Sequence, residues 1–100
     1  MDPDLPDLTI ADVVISTAGR DAGSLFYVLE ADDIWLTLVN GKDRTIEKPK
    51  RKKRKPTSKV LRSETRVAEK IRSGDKVLNS ELRRDLAFHA GHMQANNLGG

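Results

Sequence analysis

Apolar residues recur at period two through the first half of the chain and at helical spacing after residue 62. Alternation of this kind marks half-buried strands, and the later spacing marks amphipathic helices. The pattern predicts a first strand from Val13 to Thr17, with Val13 and Ile15 turned inward. A second strand is expected from Leu25 to Ala31. It places Leu25, Tyr27 and Leu29 on one face and Phe26 and Val28 on the other. Successive side chains of a strand point to opposite faces, so this strand carries apolar groups on both, as a small, strongly curved barrel requires. Between the two strands lies a short polar loop, Ala18-Gly19-Arg20-Asp21-Ala22-Gly23. Ala31-Asp32-Asp33 reads as a turn. A third strand, Ile34 to Val39, then alternates Ile34, Leu36 and Leu38 against Trp35, Thr37 and Val39. Asn40-Gly41 predicts a tight hairpin, because a type I′ turn needs positive φ at both central residues. A fourth strand is expected from Lys42 to Glu47, with Arg44 and Ile46 on one face, and Lys59-Val60-Leu61 is expected to close the barrel.

Beyond the barrel, Ser63 is the expected N-cap of a first helix, with Glu64 in its first turn and Val67, Ala68 and Ile71 on its buried face. Gly74 is placed to end that helix. A second helix is expected from near Ser80, with Leu82 and Leu86 one turn apart. The organisation predicted is a flexible N-terminus over residues 1–7, a barrel over 8–61 that includes a basic arm at 48–59, a helical extension over 62–90 and a disordered tail over 91–100. There is no strand–helix alternation, which argues against a doubly wound fold.

Charge changes this picture. The formal net charge of +3 conceals −7 over residues 1–47 and +10 over residues 48–100. Such asymmetry points to a polyanionic partner for the second half. Seven of the eight residues from Lys48 to Lys55 are basic, and Pro49 and Pro56 bracket the block. Like charges at this density repel, so the segment is expected to be extended and mobile when unbound. Nucleic-acid contact fits the block better than a solvated loop, a nuclear-localisation signal or an acidic membrane surface; no amphipathic anchor accompanies it. The block contributes Lys48, Lys50, Arg51, Lys52, Lys53, Arg54 and Lys55 as candidate RNA contacts, with Lys59 just beyond. Lys42 and Arg44, on or beside the hairpin, point toward it, although ordinary surface charge also explains them.

In the polar loop, Gly19 and Gly23 can take positive φ and bring exposed backbone N–H groups close to phosphate; simply permitting the turn is their other reading. Asp21 is expected to hydrogen-bond backbone. Arg20 is the stronger candidate, able to pair with phosphate or stack on a base. Tyr27 and Trp35 could stack bases, but the chain has only four aromatic residues and a small barrel needs them in its core, so both are expected there. Contact would then be mostly to phosphate.

Other chemistry finds little support. The chain has no cysteine, hence neither disulfide nor thiolate metal site. Asp85, His89 and His92 fall at i, i+4 and i+7, but Gly91 interrupts them and the set is too small for a metal centre. No phosphate-cradling loop and no nucleophile with its base stand on ordered elements, so no catalytic residue, no cofactor and no enzyme activity is expected. No stretch approaches the length of a membrane span, and the acidic N-terminus does not resemble a signal peptide. These features predict a soluble cytoplasmic protein, with a monomer favoured.

The run Val13 to Gly23, followed by Phe26-Tyr27-Val28-Leu29, resembles a KOW motif. With Asn40-Gly41-Lys42-Asp43-Arg44 and Lys48-Pro49-Lys50-Arg51-Lys52, it is similar to bacterial KOW-domain RNA-binding proteins, themselves similar to KOW-type eukaryotic and archaeal large-subunit ribosomal proteins. The resemblance covers roughly residues 8–59; Pro56 departs from it, where relatives often carry His and an apolar residue. It implies an SH3-like barrel that binds RNA, most often ribosomal RNA of the large subunit, with ribosomal proteins as further partners. It also implies that the loop from Ala18 to Ser24 faces RNA or protein. A KOW-type protein-interaction module of the transcription or translation machinery is the alternative.

Overall fold

The computed structural model describes residues 8–99, with side-chain surroundings to His92. The expected flexible N-terminus, residues 1–7, and the last residue of the expected tail lie outside the described residues. Five strands come first: β1 (Asp12–Ser16), β2 (Leu25–Ala31), β3 (Trp35–Val39), β4 (Lys50–Lys53) and β5 (Thr57–Arg62). Two helices follow, α1 (Arg66–Ser73) and α2 (Asn79–Gly99). The strands form one antiparallel sheet in the order β4-β3-β2-β1-β5. The chain is thus mainly β with a helical C-terminal part.

Both faces of the sheet are apolar, and each fills a separate core. On one face Val13, Tyr27 and Val39 stand side by side across β1, β2 and β3, each fully buried. Val67, Ala68 and Ile71 of α1 and Leu82 and Leu86 of α2 cover them. On the other face Leu8, Val14, Phe26, Val28, Leu36 and Leu38 are buried against one another. The sheet achieves this by curving. Register shifts between Val13 and Val14, opposite β5, and between Val28 and Glu30, opposite β3, insert extra residues of the kind that bend a strand.

The sheet is nevertheless not a closed barrel, contrary to expectation. Among the described residues no ladder joins β4 to β5, which remain its edges. The four residues of β4 run straight into a turn, closed by the Thr57 N–H on the Arg54 carbonyl at 3.1 Å, that hands the chain to β5. Pro56, in that turn, has no N–H to donate to a ladder. The helices bury the face that closure would otherwise have had to enclose.

The fourth strand also falls elsewhere than predicted. Residues 42–47 are irregular, and Leu38 pairs with Lys50 rather than with a residue just past Gly41. Asn40 explains the shift. Its side-chain oxygen accepts the N–H groups of Lys42 and Arg44, and the N–H groups of Asn40 and Gly41 both donate to the Arg44 carbonyl. The resulting broad loop docks on the start of α2. The Asn79 side chain accepts the Ile46 N–H at 2.9 Å, and Arg83 donates to the Gly41 carbonyl at 2.6 Å. Gly41, at φ +76°, lies so close that a Cβ there would sit 2.2 Å from the Asn79 carbonyl oxygen.

At α1 the N-cap is Thr65, not Ser63; its hydroxyl accepts the Ala68 N–H at 3.3 Å. Gly74 ends the helix in the left-handed conformation, with its N–H on Ile71 and the Asp75 N–H on Lys70, so orphan carbonyls find donors. Glu81 ties the helices together, accepting the Leu78 N–H ahead of α2 and the Lys70 ammonium of α1. The helix α2 continues through Gly91, at which the sequence predicts a tail to begin; a single glycine costs a helix only about 1 kcal/mol. Among the described residues no helix is long and apolar enough to cross a membrane.

Candidate nucleic-acid interface

The loop between β1 and β2 folds on itself. Gly19 and Gly23 hold φ of +83° and +89°, the left-handed region that glycine enters without steric cost. The N–H groups of Ala22, Gly23 and Ser24 donate to Gly19, Ser16 and Asp21 carbonyls. These three N–H groups therefore close the turn instead of facing outward, which makes the part of Gly23 conformational. Arg20, at the tip, is exposed.

Asp21 is the organiser that the sequence reading missed. Its carboxylate is nearly buried, pairs with the Lys50 ammonium and lies 3.8 Å from the Arg44 guanidinium. Lys52 reaches the same loop, its ammonium 3.1 Å from the Ala18 carbonyl. Three segments far apart in sequence thus converge: the glycine loop, the 40–49 loop and β4. A buried carboxylate is tolerated where cations and hydrogen bonds replace water, and here two cations do so.

The basic block is more ordered than its charge density predicts. Residues 50–53 form β4, paired with β3 in the register Trp35↔Lys53, Leu36↔Lys52, Thr37↔Arg51 and Leu38↔Lys50. Alternation then divides the cations. Lys50 and Lys52 turn toward the glycine loop, while Arg51 and Lys53 stand over the Trp35 ring, 5.0 and 5.6 Å from its centroid. Pairing with β3, those cross-strand contacts and the anchors in the loop offset the repulsion that would extend an isolated chain. Arg54 anchors the strand end, donating from Nε to the Asp32 carbonyl at 2.6 Å and from its backbone N–H to Ile34. Lys42, Lys48 and Lys55 are exposed beside these elements. Lys59 is not gathered with them. It lies on β5, 3.5 Å from the fully buried Asp12 carboxylate.

Trp35 is only half-buried and belongs to neither core. Alternation alone does not place it: Val39, in phase with Trp35, is fully buried, and Ile34, in phase with Leu36 and Leu38, is exposed. Tyr27, in contrast, is fully buried, as expected of a core aromatic. Its hydroxyl enters a second polar cluster with Ser63 (2.8 Å), Thr65 (3.3 Å), His89 (3.2 Å) and the Asp85 carboxylate, to which it donates. Burial and that carboxylate push the phenol up to about 12. Ser63 and Asp85 both approach the same His89 nitrogen, at 3.2 and 3.4 Å, so the histidine does not bridge them as a proton relay would. The cluster fastens the helices to the sheet.

The chain matches no family model, and no curated protein matches it.

Proposed function

We propose that this is a KOW-type RNA-binding protein of the cytoplasm, associated with ribosomal RNA of the large subunit. The observation that carries the reading is the convergence around Asp21, which sets a dense group of cations along one sheet edge. Arg20, Lys42, Lys48 and Lys55 are exposed there, and Arg51 and Lys53 lie on the outer face of β4. Several cations held at fixed spacing meet successive phosphates and release their counterions, giving affinity that depends on RNA shape more than sequence. The strand order, in which β5 returns to β1, is compatible with an SH3-like barrel opened at one seam.

The test is sedimentation of cell lysate through sucrose gradients at low and high salt. Co-migration with the large subunit or its precursor, lost as salt rises, is the expected outcome. Sedimentation at the top of the gradient at both salts would remove the ribosomal assignment.

A second reading, a protein-interaction module, is favoured by a different surface. A groove of about 380 Å³, lined by Leu29, Ile46, Ile71 and Leu78 among others, carries Glu30, Glu47 and Asp75 as acidic groups. Binding through such a surface would respond to salt far less than binding to phosphates.

A further inference from the structure

We infer that Trp35, flanked by Arg51 and Lys53, is a stacking site for one unpaired nucleobase of the bound RNA. The inference rests on the RNA-binding reading and deepens it, from backbone contact to recognition of a base. Trp35 opens on a cavity of about 320 Å³ lined by Glu30, Ala31, Asp32, Trp35, Thr37 and Arg51. That volume is at the small end of ligand cavities, suited to a single base. The register shift between Val28 and Glu30 sets Glu30 opposite Thr37, and both line the cavity with the indole.

The composition of the cavity selects a base over a phosphate. Glu30 and Asp32 repel a phosphate placed inside. A base, however, offers an uncharged ring to stack on the indole and N–H donors to meet a carboxylate. The N–H groups of Trp35 and Ile34 hold the Asp32 carboxyl below the usual carboxylate range, but both donate to its Oδ1, so Glu30 is the carboxylate open to a base. Arg51 and Lys53, at the ring, are placed for the phosphates flanking the stacked nucleotide. Guanine fits the edge chemistry best, since its N1–H and amino group present two parallel donors to the Glu30 carboxylate. If the cations served only to cover the ring, Trp35 would be a surface cation–π partner with no part in binding.

Trp35 is the only tryptophan, so its emission reports the site directly. The full chain is titrated with a short guanine-containing single-stranded RNA and with a fully paired RNA duplex, in parallel for the parent, Trp35→Ala and Trp35→Phe. The single strand is expected to quench parent emission while the duplex binds without quenching. Trp35→Ala is expected to weaken single-strand binding about tenfold, the usual scale of losing one base–aromatic stack, and to leave duplex binding within about twofold. Trp35→Phe, which retains a ring, is expected to recover most of the loss. Should the single strand bind without quenching, or should Trp35→Ala bind both RNAs as the parent does, the base site is overturned and the backbone reading stands. An equal loss on both RNAs overturns it too. If the parent binds neither RNA, the RNA-binding reading falls and the base site with it.

Discussion

The polar cluster around Asp21 and the one around Tyr27 use similar side chains to different ends. Around Asp21 a single carboxylate meets Lys50, Arg44 and the neighbouring reach of Lys52, so cations are in excess and the surplus charge faces solvent. Around Tyr27 the phenol, the Thr65 hydroxyl and an imidazole surround the Asp85 carboxylate, with the Ser63 hydroxyl on the phenol and the imidazole, and hydrogen bonds replace water. The first cluster ties the glycine loop to the 40–49 loop and β4 and gathers cations there; the second joins α1 and α2 to the sheet. The partners decide which: the Asp21 and Asp85 side chains are 10% and 14% exposed, but the cations on Asp21, Lys50 and Arg44, reach solvent at 22% and 39%. Unpaired charge is affordable only where water reaches it, so only the rim can carry a binding surface built of cations.

Gly41 is where the comparison breaks most severely, because it joins the two regions. Gly41→Ala forces a Cβ against the Asn79 backbone at positive φ. A loss of about 3 kcal/mol or more is expected in urea unfolding, with RNA binding lost in proportion to unfolded protein. Tyr27→Phe should cost about 2 kcal/mol by leaving buried acceptors and donors short of a partner, while RNA affinity of the folded protein stays unchanged. The same phenol gives a pH signature. Its value rises from 10.0 to about 12 on folding, so the folded state holds the proton more tightly. Its contribution to stability is therefore complete below pH 10 and lost as pH rises through 12. Absorbance titration of this single tyrosine should show a midpoint near 12 in the folded protein, falling to the ordinary value in denaturant.

Asp21→Asn sharpens the contrast from the other side. It should lower stability by only about 1 kcal/mol, in keeping with a pair that solvent partly screens. Release of Lys50 and Arg44 should also steepen the salt dependence of RNA binding by up to about one unit of log–log slope. Smallest of all, Lys55→Ala should leave the melting curve unchanged and weaken RNA binding no more than a few-fold. An effect of Lys55→Ala on stability comparable to that of Tyr27→Phe would mean that rim and interior are not distinct.

The two regions also differed in how far the sequence disclosed them. β2 was legible to the residue, and β1 and β3 to within one, because period-two alternation marks a strand whatever its surroundings. Gly74 was legible as a helix end for an equally local reason. The fourth strand was not. Asn40-Gly41 carries the signal of a tight hairpin, but the Asn40 side chain and the docking of Gly41 on α2 turn the chain into a broad loop. Long-range contact outweighed a local preference. The same holds for Asp21, whose part depends on Lys50, twenty-nine residues away, and for Ser63, drawn from the expected helix cap into the Tyr27 cluster. Size points Trp35 to the core, and alternation, which groups it with both Thr37 and fully buried Val39, does not correct that; the indole lies in neither core.

The central claim, that cations on the β4 edge bind RNA through its phosphates, is tested most directly by salt titration. Affinity for a large-subunit ribosomal RNA fragment would be measured against monovalent salt for the parent and for a variant with Arg20, Lys48, Lys53 and Lys55 replaced by Ala. The account predicts a log–log slope of about −3 to −4 for the parent, as for neutralising about four phosphates. The variant should melt like the parent and give a slope shallower by about two units or more. A parent affinity insensitive to salt, or a folded variant with the parent's slope, would contradict it.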